Sequence, residues 1–348
     1  MSLDVRLETL VLALRDPFRI ARSEHGEGST STTVIAEVRD PRWPELVGIG
    51  AGYPDRFYGE TPATMVGVMP LLVEAVGDVE ASAAGLADAA ERAGVAIRGH
   101  GAAKCALDIA LHDLVGKAVG RPVRELIGLT GEIPPTDFTL GLDEPAVVAE
   151  RASRAARFPA LKIKVGGPDD VATLEAVRSV YGGPIRVDAN TGWTRDGAIA
   201  LLPRLRDLGV ELIEQPFRAN AHRDLAWLQE RSDLPIVADE SAVFPDDLEP
   251  LVGVVAGVNV KLAKCGGIAP ARRMLEEARA LGFRTFLGCM EETSVGIAAS
   301  AAVAELAEWV DLDGCLLLAD DPFAGLELGD DCRWRPPVGP GLGVARRR

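Results

Sequence analysis

The chain has 348 residues, 47% hydrophobic and 26% charged, the balance of a globular protein with a sizeable core and not of a disordered or fibrous one. Its 37 basic and 52 acidic residues give a net charge of −15 and a pI near 4.8, which offers nucleic acid or an anionic membrane no basic face. Five cysteines with no C-x-x-C pair read as reduced thiols, no apolar run approaches the ~20 residues of a membrane span, and Met1-Ser2-Leu3-Asp4 does not open a signal peptide, so the expected compartment is the cytoplasm. In chain order, Val5–Leu14 and then Thr33–Val38 alternate apolar and polar side chains, as two strands of an antiparallel sheet do. Between them, the stretch around Pro17–Gly26 reads as a loop of about fifteen residues, a length often tied to function. Alanine-rich, helix-spaced segments follow at about Pro62–Val76, Ala83–Ala93 and Ala102–Val119, which makes residues 1–125 an α+β domain.

From Phe138 the texture becomes a regular alternation of short β-branched runs and helical stretches. The runs are Phe138–Leu142, Ala160–Val165, Ile185–Ala189, Glu211–Gln215, Ile236–Asp239, Val258–Leu262, Thr285–Gly288 and Trp309–Asp313, mostly 22 to 26 residues apart. Such alternation implies a parallel sheet, and about eight units imply a closed (β/α) barrel over residues 126–317. The competing doubly wound open sheet lacks its usual G-x-G-x-x-G turn. Hydrophobic residues after Cys315, and then Trp334–Val338, read as a tail over about 318–348 that returns to the first domain, and Arg346-Arg347-Arg348 as a solvated terminus.

In a closed parallel barrel, function sits where the strands end. Asp188, Glu214 and Asp239 stand 26 and 25 residues apart, on the same rim of three adjacent strands. Any one of them alone could cap a helix or pair with an arginine, but three in register repel unless a cation lies between them. With oxygen ligands only, the expected ion is Mg²⁺. Lys162 and Lys164 are two residues apart and project from one strand face, where each is expected to lower the other's pKa. Lys261 lies four strands along, on the opposite side of a central substrate, and Lys264 is left as either a loop cation or a second cation beside it. Asp311 and Asp313 share a face of the last strand, set apart from the metal trio. They suit a cationic substrate group or, equally, a helix cap and a salt bridge.

Together with the segment Ala103–Leu114, the motifs Lys162-Ile163-Lys164, Asp188-Ala189-Asn190, Glu214-Gln215-Pro216, Asp239-Glu240-Ser241 and Val260–Gly267 resemble the enolase superfamily in its muconate-lactonizing-enzyme branch. The resemblance covers nearly the whole chain. It implies a modified TIM (β/α)7β barrel with an N-terminal α+β capping domain, and one Mg²⁺ held by Asp188, Glu214 and Asp239. The implied chemistry is removal of a proton alpha to a carboxylate through an enediolate, with Lys164 and Lys261 as acid/base on opposite faces and Lys162 tuning Lys164 and the developing charge. Asp311-Leu312-Asp313 resembles the pair with which dipeptide epimerases hold a free ammonium, and Met290–Gly296, with Glu292, is similar to the same group. Arg22 matches the position where Ala-Glu epimerases place an arginine for the substrate's acidic side chain, although an ordinary loop cation fits equally. Asn190 completes the expected substrate-binding set. The expectation is an epimerase acting on a small dipeptide, as a homo-oligomer, with no nucleic-acid or membrane partner. The alternatives are an N-acylamino-acid racemase, an o-succinylbenzoate synthase or a muconate cycloisomerase of the same superfamily, and, in a different class, a barrel that only binds.

Overall fold

Strand β1 (Asp4–Ala13) pairs antiparallel along its whole length with β2 (Thr30–Arg39), and β2 pairs with a third strand, β3 (Gly48–Gly52). These come from a computed structural model that describes residues 3–23 and 28–347; Glu24, His25 and Gly26 of the expected loop lie outside the described residues. The third strand was not expected, because Gly-Ile-Gly-Ala-Gly carries almost none of the β-branched signal. Its glycines answer to packing. A Cβ at Gly48, Gly50 or Gly52 would come within 2.0–2.2 Å of the carbonyl oxygens of Ala110, Ala106 and Ala102, so the strand lies directly against helix backbone.

The helices α1 (Pro62–Val76), α2 (Ala83–Ala96) and α3 (Gly101–Val119) complete the first domain. Residues 101–116 of α3 are buried on every side. Ala102, Ala103, Ala106, Leu107 and Ala110 join the capping-domain core, while Cys105 and Ile109 join the barrel core. Asp108 of α3 crosses between the two, its Oδ2 accepting the backbone N–H of Ile268 at 2.6 Å and so capping the helix Ile268–Ala280 of the barrel.

All eight expected runs are strands: β4 (Phe138–Leu140), β5 (Leu161–Lys164), β6 (Ile185–Asp188), β7 (Val210–Glu214), β8 (Ile236–Ala238), β9 (Gly257–Lys261), β10 (Arg284–Gly288) and β11 (Trp309–Val310). They form one parallel sheet in chain order. At the seam between β4 and β11, Asp137 N–H donates to Val310 O at 3.0 Å and Leu312 N–H to Thr136 Oγ1 at 2.8 Å. The sheet curls into a parallel (β/α) barrel beside the capping domain, as the resemblance implies, and one unit departs from strict strand–helix alternation. After β8 the crossover consists of two 3₁₀ turns, Pro245–Asp247 and Glu249–Leu251; Pro245 opens the first, and Pro250 has no N–H with which to extend it into a longer helix.

The tail touches both domains. Leu318 bridges Leu14, Leu342 N–H donates to Asp113 of α3, and Trp334 Nε1 donates to Leu312 O at 2.8 Å. Arg346 and Arg347 are not simply solvated, because Arg346 pairs with Glu8 and Arg347 Nε donates to Phe323 O. Among the described residues, no helix is long and apolar enough to cross a membrane.

Candidate active site

The strand ends and the capping loop enclose a cavity of about 850 Å³, lined by Lys162, Lys164, Asn190, Asp239, Glu240, Lys261, Asp311 and Asp313 from the barrel and by Phe18, Arg22, Tyr53, Phe57 and Tyr58 from the capping side. Both β5 lysines point inward, Ile163 between them outward, as the two-residue repeat of a strand requires.

Asp188, Glu214 and Asp239 converge with one oxygen of each within 4.8 Å of the others, all fully buried. Lysines surround them. Lys164 Nζ donates to Asp188 Oδ2 at 2.7 Å, Lys261 Nζ to Asp239 Oδ2 at 2.9 Å, and Lys162 Nζ lies 2.8 Å from Glu214 Oε2 and 3.3 Å from Asp188 Oδ2. The Lys162–Glu214 contact lacks hydrogen-bond geometry, so Glu214 Oε2 is a buried oxygen without a hydrogen-bond partner. Asn259 Nδ2 satisfies the other oxygen at 2.8 Å. Burial would raise all three acids. It prevails at Glu214, which the neighbouring Asp188 charge helps push up to about 8. At Asp188, Lys164 and Lys162 overcome burial and pull the group to about 2, and Lys261 and Lys264 hold Asp239 well below the usual carboxylate range. A donor set of oxygens alone, one of them without a hydrogen bond, fits a hard divalent cation.

The expectation that the paired lysines depress one another is corrected for Lys162. Burial acts in that direction, but Asp311, Glu214 and Asp188 outweigh it and raise its pKa well above the ordinary value. Lys261 is likewise raised, Asp239 overcoming burial. Lys264 is fully caged: it binds the Asp239 carboxylate and the backbone oxygens of Asp239, Asn259 and Ala242, and it does not line the cavity.

The Asp311–Asp313 pair is not set apart from the trio, because Lys162 bridges them. Lys162 Nζ donates to Asp311 Oδ2 at 2.9 Å, while the other Asp311 oxygen accepts from Thr139 Oγ1 at 2.8 Å. Asp313 Oδ2 accepts the Thr139 N–H at 2.6 Å. Burial favours neutral Asp311, yet Lys162 holds it ionised; burial and the Asp311 charge push Asp313 well up.

Arg22 reaches the rim, where its guanidinium donates to the Glu240 carboxylate and to Asn190 O. Asn190 lines the cavity, its backbone N–H donating to Asp188 Oδ1. Glu292 does not line it. Its Oε1 turns back to accept Met290 N–H at 3.0 Å, and neighbouring Glu291 faces the cavity with its Oε2 on the Tyr53 hydroxyl. Sequence reasoning missed Thr139 and Asn259, and it named Gln215 within the Glu214-Gln215-Pro216 motif without assigning it a role. Gln215, at φ 34°, uses its side-chain oxygen to bind Asp239 N–H and Ser241 N–H, locking the end of β8. Asn190 and Thr191 also have positive φ, so non-glycine backbone strain clusters just beyond the acids.

Residues 6–128 match the family described as mandelate racemase/muconate lactonizing enzyme, N-terminal domain, and residues 146–348 the one described as enolase C-terminal domain-like. The chain is 44% identical over 230 residues to an L-Ala-D/L-Glu epimerase of Bacteroides thetaiotaomicron, spanning 65% of this chain and 60% of that relative. It is 36% identical to an L-Ala-D/L-amino acid epimerase of Pedosphaera parvula, over 90% of this chain and 91% of that one. Among solved structures, a dipeptide epimerase from Enterococcus faecalis complexed with Mg and L-Leu-L-Tyr superposes with a TM-score of 0.90 at 31% identity, covering 99% of this chain and 100% of that one. An acid trio ringed by inward lysines, under a cap that matches along its own length, places this chain in the mandelate racemase/muconate lactonizing enzyme family of the enolase superfamily.

Proposed function

We propose that the chain is a Mg²⁺-dependent dipeptide epimerase that inverts the alpha carbon of the dipeptide's C-terminal residue by 1,1-proton transfer. The observation that carries the reading is the placement of two buried lysines, Lys164 on β5 and Lys261 on β9, in one cavity on either side of the acid trio. Asp188, Glu214 and Asp239 would hold the ion, which when bound supplies electrostatic stabilisation of the substrate carboxylate as it gains charge. The chain's own residues do the rest. One lysine takes the alpha proton and the other returns one to the opposite face. Lys162, pinned among Asp311, Glu214 and Asp188, would keep a fixed positive charge near the substrate carboxylate as its oxygens gain charge, a preorganised contribution that needs no rearrangement during reaction.

Asp311 and Asp313 would receive the dipeptide's ammonium, Asn190 would border the carboxylate end, and the second side chain would face Arg22. With a net charge of −15, no nucleic-acid or membrane partner enters this reading. The test is incubation with Mg²⁺ and an L,L-dipeptide library in D₂O, scored by mass spectrometry. One-dalton gains in a subset of dipeptides are expected. No gain in any dipeptide, alongside turnover of an N-acylated amino acid or a cyclisable diacid, sinks the assignment.

A further inference from the structure

Each acid of the trio has one oxygen tied by a group other than the cavity lysines. Asp188 Oδ1 accepts Asn190 N–H at 2.9 Å, Glu214 Oε1 accepts Asn259 Nδ2–H at 2.8 Å, and Asp239 Oδ1 accepts from Lys264 Nζ. The other oxygen of each turns to the lysines that line the cavity: Asp188 Oδ2 to Lys164 at 2.7 Å, Asp239 Oδ2 to Lys261 at 2.9 Å, and Glu214 Oε2, which takes no hydrogen bond, to Lys162 at 2.8 Å. The three carboxylates are thus turned so that a single oxygen of each faces the site. Of the three ties, the one to Glu214 is made by a neutral side chain. Asn259 stands on β9 two residues before Lys261, is fully buried, and has its backbone oxygen on Lys264 Nζ at 2.9 Å. Its amide packs on Gly288 at the end of β10. A Cβ there would lie 2.7 Å from Asn259 Oδ1 and 2.9 Å from Nδ2, so a side chain at that position would push the amide aside.

We propose that Asn259 is a positioning residue for the metal ion: by engaging Glu214 Oε1 it limits Glu214 to one ligand oxygen, and so biases the trio toward Mg²⁺ over Ca²⁺. This rests on the metal reading of the trio given above. The two ions differ in what they ask of a carboxylate. Mg²⁺ is small, demands near-octahedral geometry and keeps several of its waters, so single oxygens from separate acids suit it. Ca²⁺ takes about six to eight oxygens at longer distances and accepts both oxygens of one carboxylate. A Glu214 tied by Oε1 serves the first ion, whereas a Glu214 free to turn offers two oxygens to the second. Groups that hold a ligating carboxylate from outside in this way contribute about 10–100-fold in metal affinity.

Asn259→Leu removes the donor at nearly constant volume, and Gly288→Ala displaces the amide from the opposite side. Each full-length variant, free of substrate, is titrated calorimetrically with magnesium chloride and with calcium chloride, and the ratio of Mg²⁺ to Ca²⁺ affinity is compared with wild type. Binding is the readout because a Cβ at position 288 also lies 3.0 Å from Lys261 Cε and would disturb the chemical step. Asn259→Leu should weaken Mg²⁺ binding by about 10–100-fold and Ca²⁺ binding by less, lowering the ratio at least threefold, and Gly288→Ala should lower it in the same direction. A purely structural role weakens both ions alike. Equal losses in Asn259→Leu therefore overturn the inference, as does a fall in Mg²⁺ affinity under threefold. Should that variant fail to fold, an unmoved ratio in Gly288→Ala does the same. Wild type that binds neither ion overturns the metal reading of the trio itself, whereas binding by wild type with an unmoved ratio in the variant overturns this inference alone.

Discussion

Asp311→Asn should separate substrates that carry a free ammonium from those that do not. Asp311 is buried at 4% exposure, ionised by Lys162 at 2.9 Å and held by Thr139 at 2.8 Å, so the substitution keeps shape and removes charge. A charge-assisted hydrogen bond of this kind contributes about 1.5–3 kcal/mol. At 1.4 kcal/mol per decade, that is a loss of roughly ten- to 150-fold in kcat/KM for a dipeptide. Lys162 also loses a partner, but it keeps Glu214 at 2.8 Å and Asp188 at 3.3 Å, and any resulting change in the chemical step burdens every substrate alike. The decisive quantity is therefore the ratio of kcat/KM for a dipeptide to that for the same compound acylated on its amino group, each followed by deuterium exchange. That ratio should fall at least tenfold. If it stays within threefold of wild type, the ammonium does not meet Asp311.

Other consequences are open to direct measurement. Lys164→Met and Lys261→Met should each lower epimerisation by about 10²–10⁴-fold, with exchange persisting from one epimer only in each variant; equal loss for both epimers in both variants contradicts opposed bases. Mg²⁺ at 100 times its Kd should stabilise the fold by about 2.7 kcal/mol, read as a rise in Tm that Asp188→Asn removes; an equal rise in that variant places the ion elsewhere. Asp108→Ala removes the bond to Ile268 N–H and should cost about 2 kcal/mol in urea unfolding, and a cost under about 0.5 kcal/mol counts against an interdomain clamp. Burial raises Glu292 from 4.5 to about 7, so between those values the folded chain binds more protons than the unfolded one, and the stability this group contributes is full below 4.5 and lost as pH rises through 7. Glu292→Gln, isosteric with the neutral acid, should then match wild type at pH 5 and exceed it at pH 8; a gap of equal size at both values argues against the shift.

The barrel and its acid trio were legible because each apolar run stops abruptly at a polar residue, a pattern that follows from strands buried on both faces with one open end. That logic places Lys162, Lys164, Asp188, Glu214, Asp239 and Lys261 without knowledge of any rotamer. It fails where side-chain direction or partner choice decides. Glu291 and Glu292 sit beyond β10, where the strand repeat no longer says which of two adjacent acids faces inward. The partner of Arg22 lies 218 residues away, and no local pattern announces Glu240. The mutual effect of Lys162 and Lys164 was misjudged for Lys162 because the sequence shows neighbours along a strand, while the carboxylates that dominate it come from β6, β7 and the end of β11. Strand β3 escaped notice because its three glycines record the nearness of a helix backbone and carry no strand propensity.

The burial of α3 on all sides has a consequence for how substrate enters and leaves. One helix belongs to both cores, lies against glycine backbone on one side and is tied through Asp108 to a barrel helix on the other. The cap therefore cannot swing away as a rigid lid without pulling apart the packing that α3 shares with both cores.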